Sequence, residues 1–105
     1  MSLTIEIREE GESDVRLVAE GEITLKTYRQ LCDAGDECVG RDPKPRRVVL
    51  DFARVGYVDS LGLGSFIKMY TSFKRAGIEM ALTNLAPGIL SSLRLTKLDQ
   101  ILPIL

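Results

Sequence analysis

Leu3, Ile5 and Ile7 alternate with Thr4, Glu6 and Arg8, the period-two pattern of a strand with one buried face. A polar stretch with a glycine, Glu9 to Asp14, separates this run from a second alternation of Val15, Leu17 and Ala19, to which Val18 adds apolar bulk. The two runs predict a β-hairpin with a longer loop, ending near Gly21-Glu22-Ile23-Thr24. The period then changes. Leu25, Tyr28, Leu31, Cys32, Gly35, Cys38 and Val39 recur at intervals of three and four, which predicts one face of a helix with Thr24 as its N-cap. Gly35 marks either a close approach to a neighbour or an early helix end. Asp42-Pro43-Lys44-Pro45 breaks the pattern.

Arg46 to Phe52 is the most strand-like run. Val48, Val49 and Leu50 are consecutive and apolar, which predicts a central strand covered on both faces. From Leu61 to about Ala76 helical spacing returns, with Leu63, Phe66, Ile67, Tyr70 and Phe73 as the apolar stripe. Lys74 and Arg75 suit the last turn of that helix and Gly77 its stop. Ile78 to Leu82 reads as another inner strand. Pro87 suits the first turn of a further helix, packed inward through Ile89, Leu90, Leu93 and Leu95. Leu98, Ile101, Leu102, Ile104 and Leu105 form a short strand or extended tail. The order is ββαβαβα plus a short terminal element, an α/β domain over residues 1–105 with a mixed β-sheet flanked by helices.

The stretch Tyr57-Val58-Asp59-Ser60-Leu61-Gly62-Leu63-Gly64 joins the central strand to its helix. It places a hydroxyl, Ser60, at a helix start. In one reading Ser60 is an N-cap, a duty Asp59 could share, and Gly62 and Gly64 relieve crowding against the sheet. In another, the free N–H groups and partial positive charge of the first helical turn make the position a seat for a phosphate. Phosphorylation of Ser60 would add about −1.5 to −2 charge and three strong acceptor oxygens beside Asp59. A nucleophilic role is disfavoured. The flanking residues do not match the Gly-x-Ser-x-Gly elbow, and Lys68, two turns into the helix, would have to serve as base. Gly62-x-Gly64 lacks the third glycine of a dinucleotide fingerprint.

Composition narrows the chemistry further. The 105 residues contain no histidine, which removes the commonest general base and metal ligand and excludes a Ser-His-Asp site within the chain. Cys32 and Cys38, alone, are too few for a structural zinc site and read as free thiols in or near a core. Charged residues make up 28% with a net charge of −1, and there is no basic stripe for direct nucleic-acid binding; Lys44-Pro45-Arg46-Arg47 reads as a solubilising loop. No apolar run reaches the length of a membrane span, and the N-terminus lacks the form of a signal peptide, so a cytoplasmic location is expected.

Val48-Val49-Leu50-Asp51-Phe52 followed by Val55-Gly56-Tyr57-Val58-Asp59-Ser60-Leu61-Gly62-Leu63-Gly64 resembles the signature of the STAS domain, the sulfate transporter and anti-sigma factor antagonist family. Gly21-Glu22-Ile23, Asn84-Leu85-Ala86-Pro87 and Leu93-x-Leu95-Thr96-x-Leu98-Asp99-x-Ile101 extend the resemblance over nearly the whole chain. It implies a non-enzymatic, cofactor-free partner-switching module of the stand-alone anti-sigma factor antagonist type. Ser60 would be the phosphoacceptor, modified by an anti-sigma factor that is also a serine kinase and restored by a phosphatase. Asp59, Leu61, Gly62, Leu63 and Thr24 would belong to the docking surface. ATP would be the kinase's ligand. An alternative within the family is a constitutive accessory subunit of a membrane transporter, such as a lipid-transport ATPase complex, with Ser60 unmodified. Two positions depart from the family pattern. Thr24 stands where an aspartate is usual, and Lys97 where a glycine often follows the threonine. Many anti-sigma antagonists also continue into a final helix, whereas this sequence ends soon after Ile104.

Overall fold

The hairpin, the helices and the parallel strands occur in the order the hydrophobic periods predict. A computed structural model describes residues 2–105. Its elements are β1 (Leu3–Glu10), β2 (Asp14–Ile23), α1 (Tyr28–Val39), β3 (Arg47–Val58), α2 (Ser60–Arg75), β4 (Glu79–Thr83) and α3 (Pro87–Leu95), followed by a 3₁₀ turn at Leu98–Gln100. The sheet order is β1-β2-β3-β4. β1 is antiparallel to β2, while β2, β3 and β4 run parallel, so the sheet is mixed as expected. Helices α1 and α2 provide the crossovers that parallel neighbours require.

Register fixes which side chains face the helices. Ile7, Leu17, Leu50 and Leu82 lie side by side across the four strands. With Val15, Val48, Phe52 and Met80 they join Leu31 and Cys38 of α1, Phe66, Met69 and Phe73 of α2, and Ile89 and Leu93 of α3 in one core. Phe52 and Phe66 stack at 5.1 Å between ring centroids, locking α2 onto β3 with about 0.5–1.5 kcal/mol beyond area burial. Gly35 sits inside α1, where a Cβ would lie 2.9 Å from Met69 Cε of α2. This is the close approach, not an early helix end. The helix accepts a cost of about 1 kcal/mol relative to alanine there. Cys32 and Cys38 are free and buried, and burial pushes both thiols upward in pKa, so they remain protonated core residues.

The opposite sheet face alternates out of phase. Arg8, Arg16, Val49 and Ala81 form one row; Glu6, Val18, Asp51 and Thr83 form the next. Val48, Val49 and Leu50 are all buried, as a central strand requires, but Val49 stands apart from the helix-packed core. It adjoins Arg16, whose guanidinium pairs with Glu10 and, at 2.8 Å, with Asp51. Burial opposes ionisation of Asp51. Hydrogen bonds from the Asn84 amide, the Ala53 N–H and Arg16 outweigh that cost and hold its carboxyl below the usual range.

The structure departs from the sequence expectation at several points, among them β3, which runs to Val58 and not to Phe52. The turn of the hairpin is only Gly11-Glu12-Ser13, because the charged residues Glu9 and Glu10 continue β1 in register with Val15 and Asp14. α1 begins at Tyr28 and not after Thr24, which leaves Leu25 exposed. Leu95 is 85% exposed. It lies two residues beyond Leu93, about 200° further around α3, and therefore faces away from the core. β4 is the last named strand and not an inner one; its outer side is partly closed by the tail, where Ile104 bridges Leu82.

That tail is aimed by Lys97, which takes up a left-handed conformation (φ 61°, ψ 18°) after α3. The turn brings Leu102 into the core. A lysine in this conformation costs about 1–2 kcal/mol that a glycine avoids. Lys97→Gly is accordingly expected to stabilise the domain by about 0.5–1 kcal/mol net of the added freedom of the unfolded chain, read as a higher urea midpoint at unchanged m-value.

Candidate functional site

β2 and β3 end side by side, with Ile23 in register with Val58, and both hand the chain to a turn at the same sheet edge. The next residue, Asp59, is extended (φ −89°, ψ −176°) and is the N-cap of α2. Its Oδ1 accepts the Gly62 N–H at 2.8 Å, and its carbonyl accepts the Leu63 N–H at 2.9 Å. Its Oδ2 accepts the Leu25 N–H at 2.9 Å from the loop after β2. The Asp59 N–H donates to the Ile23 carbonyl at 3.0 Å. One aspartate thus caps a helix and ties it to the neighbouring crossover loop. The bonds from Gly62, Leu25 and Leu61 favour the carboxylate over its acid and hold Asp59 below the usual aspartate range. The stabilisation linked to that lowered pKa is full above the unfolded value, about 3.9, and is lost as pH falls through the folded one.

Ser60 is the first helical residue, and it is exposed. The division of labour left open by the sequence is resolved in favour of Asp59: the capping carboxylate comes from Asp59, and the Ser60 hydroxyl takes no part in the cap. The adjacent glycines play different roles. A Cβ on Gly62 would lie 2.4 Å from the Ile23 carbonyl oxygen and 2.7 Å from Val58 Cγ1. Gly62 is therefore the close contact that lets α2 start directly against the sheet. Nothing lies within 4 Å of the position a Gly64 Cβ would occupy, so Gly64 relieves no crowding. It sits one turn after Ser60 on the exposed side of the helix and leaves that side bare. Ser65, which the sequence did not single out, is buried and donates to the Gly62 carbonyl at 2.6 Å.

The other expected docking residues divide by exposure. Leu61 is 43% exposed, whereas Gly62, Leu63 and Thr24 are buried. Thr24 is not the N-cap of α1. It closes the preceding turn, its carbonyl accepting from the N–H groups of Thr27 (3.0 Å) and Tyr28 (2.8 Å) and its hydroxyl from the Lys26 N–H (3.2 Å). The Thr27 hydroxyl completes the turn by donating to the Glu22 carbonyl at 2.7 Å and accepting from the Thr24 N–H at 2.9 Å. Two exposed apolar residues were missed by periodicity: Leu25 at 64% and Tyr57 at 53%. Tyr57 precedes the junction on β3, the Leu25 backbone is bonded to Asp59, and Leu61 follows Ser60, so three exposed apolar residues lie on the segments that meet at the junction. Among the described residues no group of His, Cys, Asp or Glu side chains could hold a metal ion, and no helix is long and apolar enough to cross a membrane.

The four-stranded mixed sheet with three helices matches the STAS-domain structures of anti-sigma factor antagonists. The chain belongs to that family: the family model described as "Mlab, STAS domain" matches residues 7–104. The chain is 27% identical over 104 residues to an anti-sigma-B factor antagonist of Listeria monocytogenes, spanning 99% of this chain and 90% of that protein. Its fold is similar to the crystal structure of an anti-sigma factor antagonist from Mycobacterium paratuberculosis, with a TM-score of 0.85 at 22% identity over 98% of this chain and 85% of that one. It is also similar to the Bacillus cell fate determinant SpoIIAA in its phosphorylated form, with a TM-score of 0.72 at 14% identity over 97% of this chain and 91% of that one.

The two glycines generate opposite expectations. Gly62→Ala forces either α2 or the Ile23 strand end to move and should destabilise the fold by about 1–3 kcal/mol, the usual cost of overpacking. Gly64→Ala should stabilise it by about 1 kcal/mol through helix propensity alone. Chemical denaturation of both variants beside wild type checks the pair.

Proposed function

We propose that the chain is an anti-sigma factor antagonist controlled by reversible phosphorylation of Ser60. The single observation that carries this reading is the split of duties at the junction. Asp59 does the capping, so the Ser60 hydroxyl is exposed and free of structural work at a helix start. A hydroxyl so placed can be modified without removing a cap. The names of the Listeria and Mycobacterium proteins support an anti-sigma factor as the partner, and the phosphorylated form of SpoIIAA supports a phosphate on a domain of this fold.

In the unmodified state Leu25, Tyr57 and Leu61 offer apolar contact at the junction, and the bare Gly64 lets a partner approach the helix closely. The partner is an anti-sigma factor that is also a serine kinase; it supplies ATP and the catalytic groups, and this chain supplies only the acceptor. Ser60 Oγ bonds to the γ-phosphorus of ATP as the bond to the bridging oxygen breaks; ADP leaves, and the hydroxyl proton goes to the kinase's base. The product carries about −1.5 to −2 additional charge beside the Asp59 carboxylate. Burying that charge against the partner is costly, so the complex dissociates. A phosphatase hydrolyses the phosphoester and restores binding. This cycle takes place in the cytoplasm, where sigma factors act, and the antagonist itself neither binds nucleic acid nor enters a membrane.

A second reading has one specific observation in its favour. At position 24 a buried threonine stands in place of an aspartate and holds the turn by hydrogen bonds, which suits constitutive docking of an accessory subunit on a transporter ATPase. The two readings separate on incubation with the cognate kinase and ATP followed by intact-mass measurement. The switch predicts a gain of one phosphoryl group in wild type and none in Ser60→Ala. It also predicts that Ser60→Asp binds the partner at least about tenfold more weakly, an effect of some 1.4 kcal/mol, while its thermal midpoint stays close to wild type. Equal binding of Ser60→Asp and wild type would sink charge switching and leave the constitutive subunit.

A further inference from the structure

We propose that β1 is a dimerisation edge: two copies of the chain pair their β1 strands antiparallel about a two-fold axis at Ile7, continuing the sheet from one protomer into the other. β1 is eight residues long, lies at the end of the sheet and pairs only with β2. The phase of its hydrogen bonds follows from one contact. The Glu22 N–H donates to the Ser2 carbonyl at 3.2 Å, which makes Ser2 and Glu22 a hydrogen-bonded pair in the β1–β2 register. Thr4, Glu6, Arg8 and Glu10 share that phase and point their backbone groups at β2. Leu3, Ile5, Ile7 and Glu9 point theirs outward, where no other element among the described residues bonds them.

An antiparallel copy centred on Ile7 meets those outward groups in phase. Ile7 faces Ile7 of the other copy, and Ile5 faces Glu9 in both directions. These three pairs exchange about six hydrogen bonds. The same register sets Glu6 opposite Arg8 twice, by symmetry. Glu6 and Arg8 are exposed and already form an ion pair within β1, so the dimer carries a quartet in which each charge has opposite charges as its neighbours along and across the strands. Charge selects this register. Centring on Glu9 would set Arg8 opposite Glu10 but face Glu9 with itself, and centring on Ile5 would face Thr4 with Glu6 and leave Arg8 without a strand partner. The apolar side agrees. Leu3, Leu17 and Ala19 of the hairpin's inner face are buried, but Ile5 and Ile7 are only partly so, and a second copy brings two further isoleucines against them. Ser60, on α2 beyond the end of β3, contributes nothing to this edge, so the proposal is independent of phosphorylation.

A single strand pair is a small interface, so the expected dimer is weak, with a dissociation constant on the order of tens of micromolar or above. Sedimentation velocity of the full chain from low micromolar to millimolar concentration at low salt should show a monomer–dimer equilibrium. Glu6→Arg and Arg8→Glu should each weaken it by about tenfold, because each places like charges opposite one another twice. The double exchange Glu6→Arg/Arg8→Glu should restore it. Glu9→Pro removes an outward N–H at an exposed edge position, where proline is tolerated, and should abolish the dimer while the circular dichroism spectrum stays that of wild type. A chain that remains monomeric at millimolar concentration, or a dimer that survives Glu9→Pro and is not restored by the charge exchange, overturns the proposal; so does pairing of β1 with a different protein in place of a second copy.

Discussion

The Asp59 carboxylate holds together parts of the chain that the sheet alone leaves separate. Its two oxygens accept N–H groups from the first turn of α2 and from the loop after β2, while its own N–H reaches the end of β2. Those partners lie 34 residues and 3 residues away in sequence. Parallel strands place two loops at the same sheet edge, but they do not fix the loops relative to each other. A carboxylate bonded to backbone N–H groups on both sides does, with charge-assisted bonds stronger than those of a neutral cap.

The other features of the junction follow from that tie. α2 must begin immediately against β2, so the third residue of its first turn has no room for a side chain, and Gly62 fills the position. Because an aspartate supplies the cap, the neighbouring serine is released from it. Because the β2–α1 loop is drawn toward Asp59 through the Leu25 N–H, the Leu25 side chain is exposed and not buried under α1. The chemistry available at Ser60 and the exposure of Leu25 therefore have a common origin in one set of hydrogen bonds.

Much of this was legible in the sequence, where a simple periodicity carried the information. The alternation of Leu3, Ile5 and Ile7, the run Val48-Val49-Leu50, Pro87 at a helix start and Gly77 after a helix end each correspond to their elements. STAS membership was legible from the Asp59-Ser60-Leu61-Gly62 context. What was not legible depended on contacts distant in sequence. Leu25 fits the helical spacing of α1 on paper, yet the turn built by Thr24 and Thr27 delays the helix until Tyr28. Gly62 and Gly64 look equivalent as letters, and only the Ile23 carbonyl distinguishes them. Leu95 continues an apolar count but falls on the wrong side of a short helix. Whether Asp59 or Ser60 caps α2 could not be decided by residue type, since both are good caps; the Leu25 N–H decides it by giving the second carboxylate oxygen a partner.

One ionised carboxylate serves both the loop after β2 and the first turn of α2, and a pH titration followed by amide NMR tests this directly. As pH is lowered, the Leu25 and Gly62 amide resonances should move together, with a single shared midpoint below the ordinary aspartate value of about 3.9. The direction follows from the lowered pKa of Asp59, whose ionised form is stabilised by those two N–H groups. Separate midpoints for the two amides, or a shared midpoint at or above the ordinary value, would contradict the account.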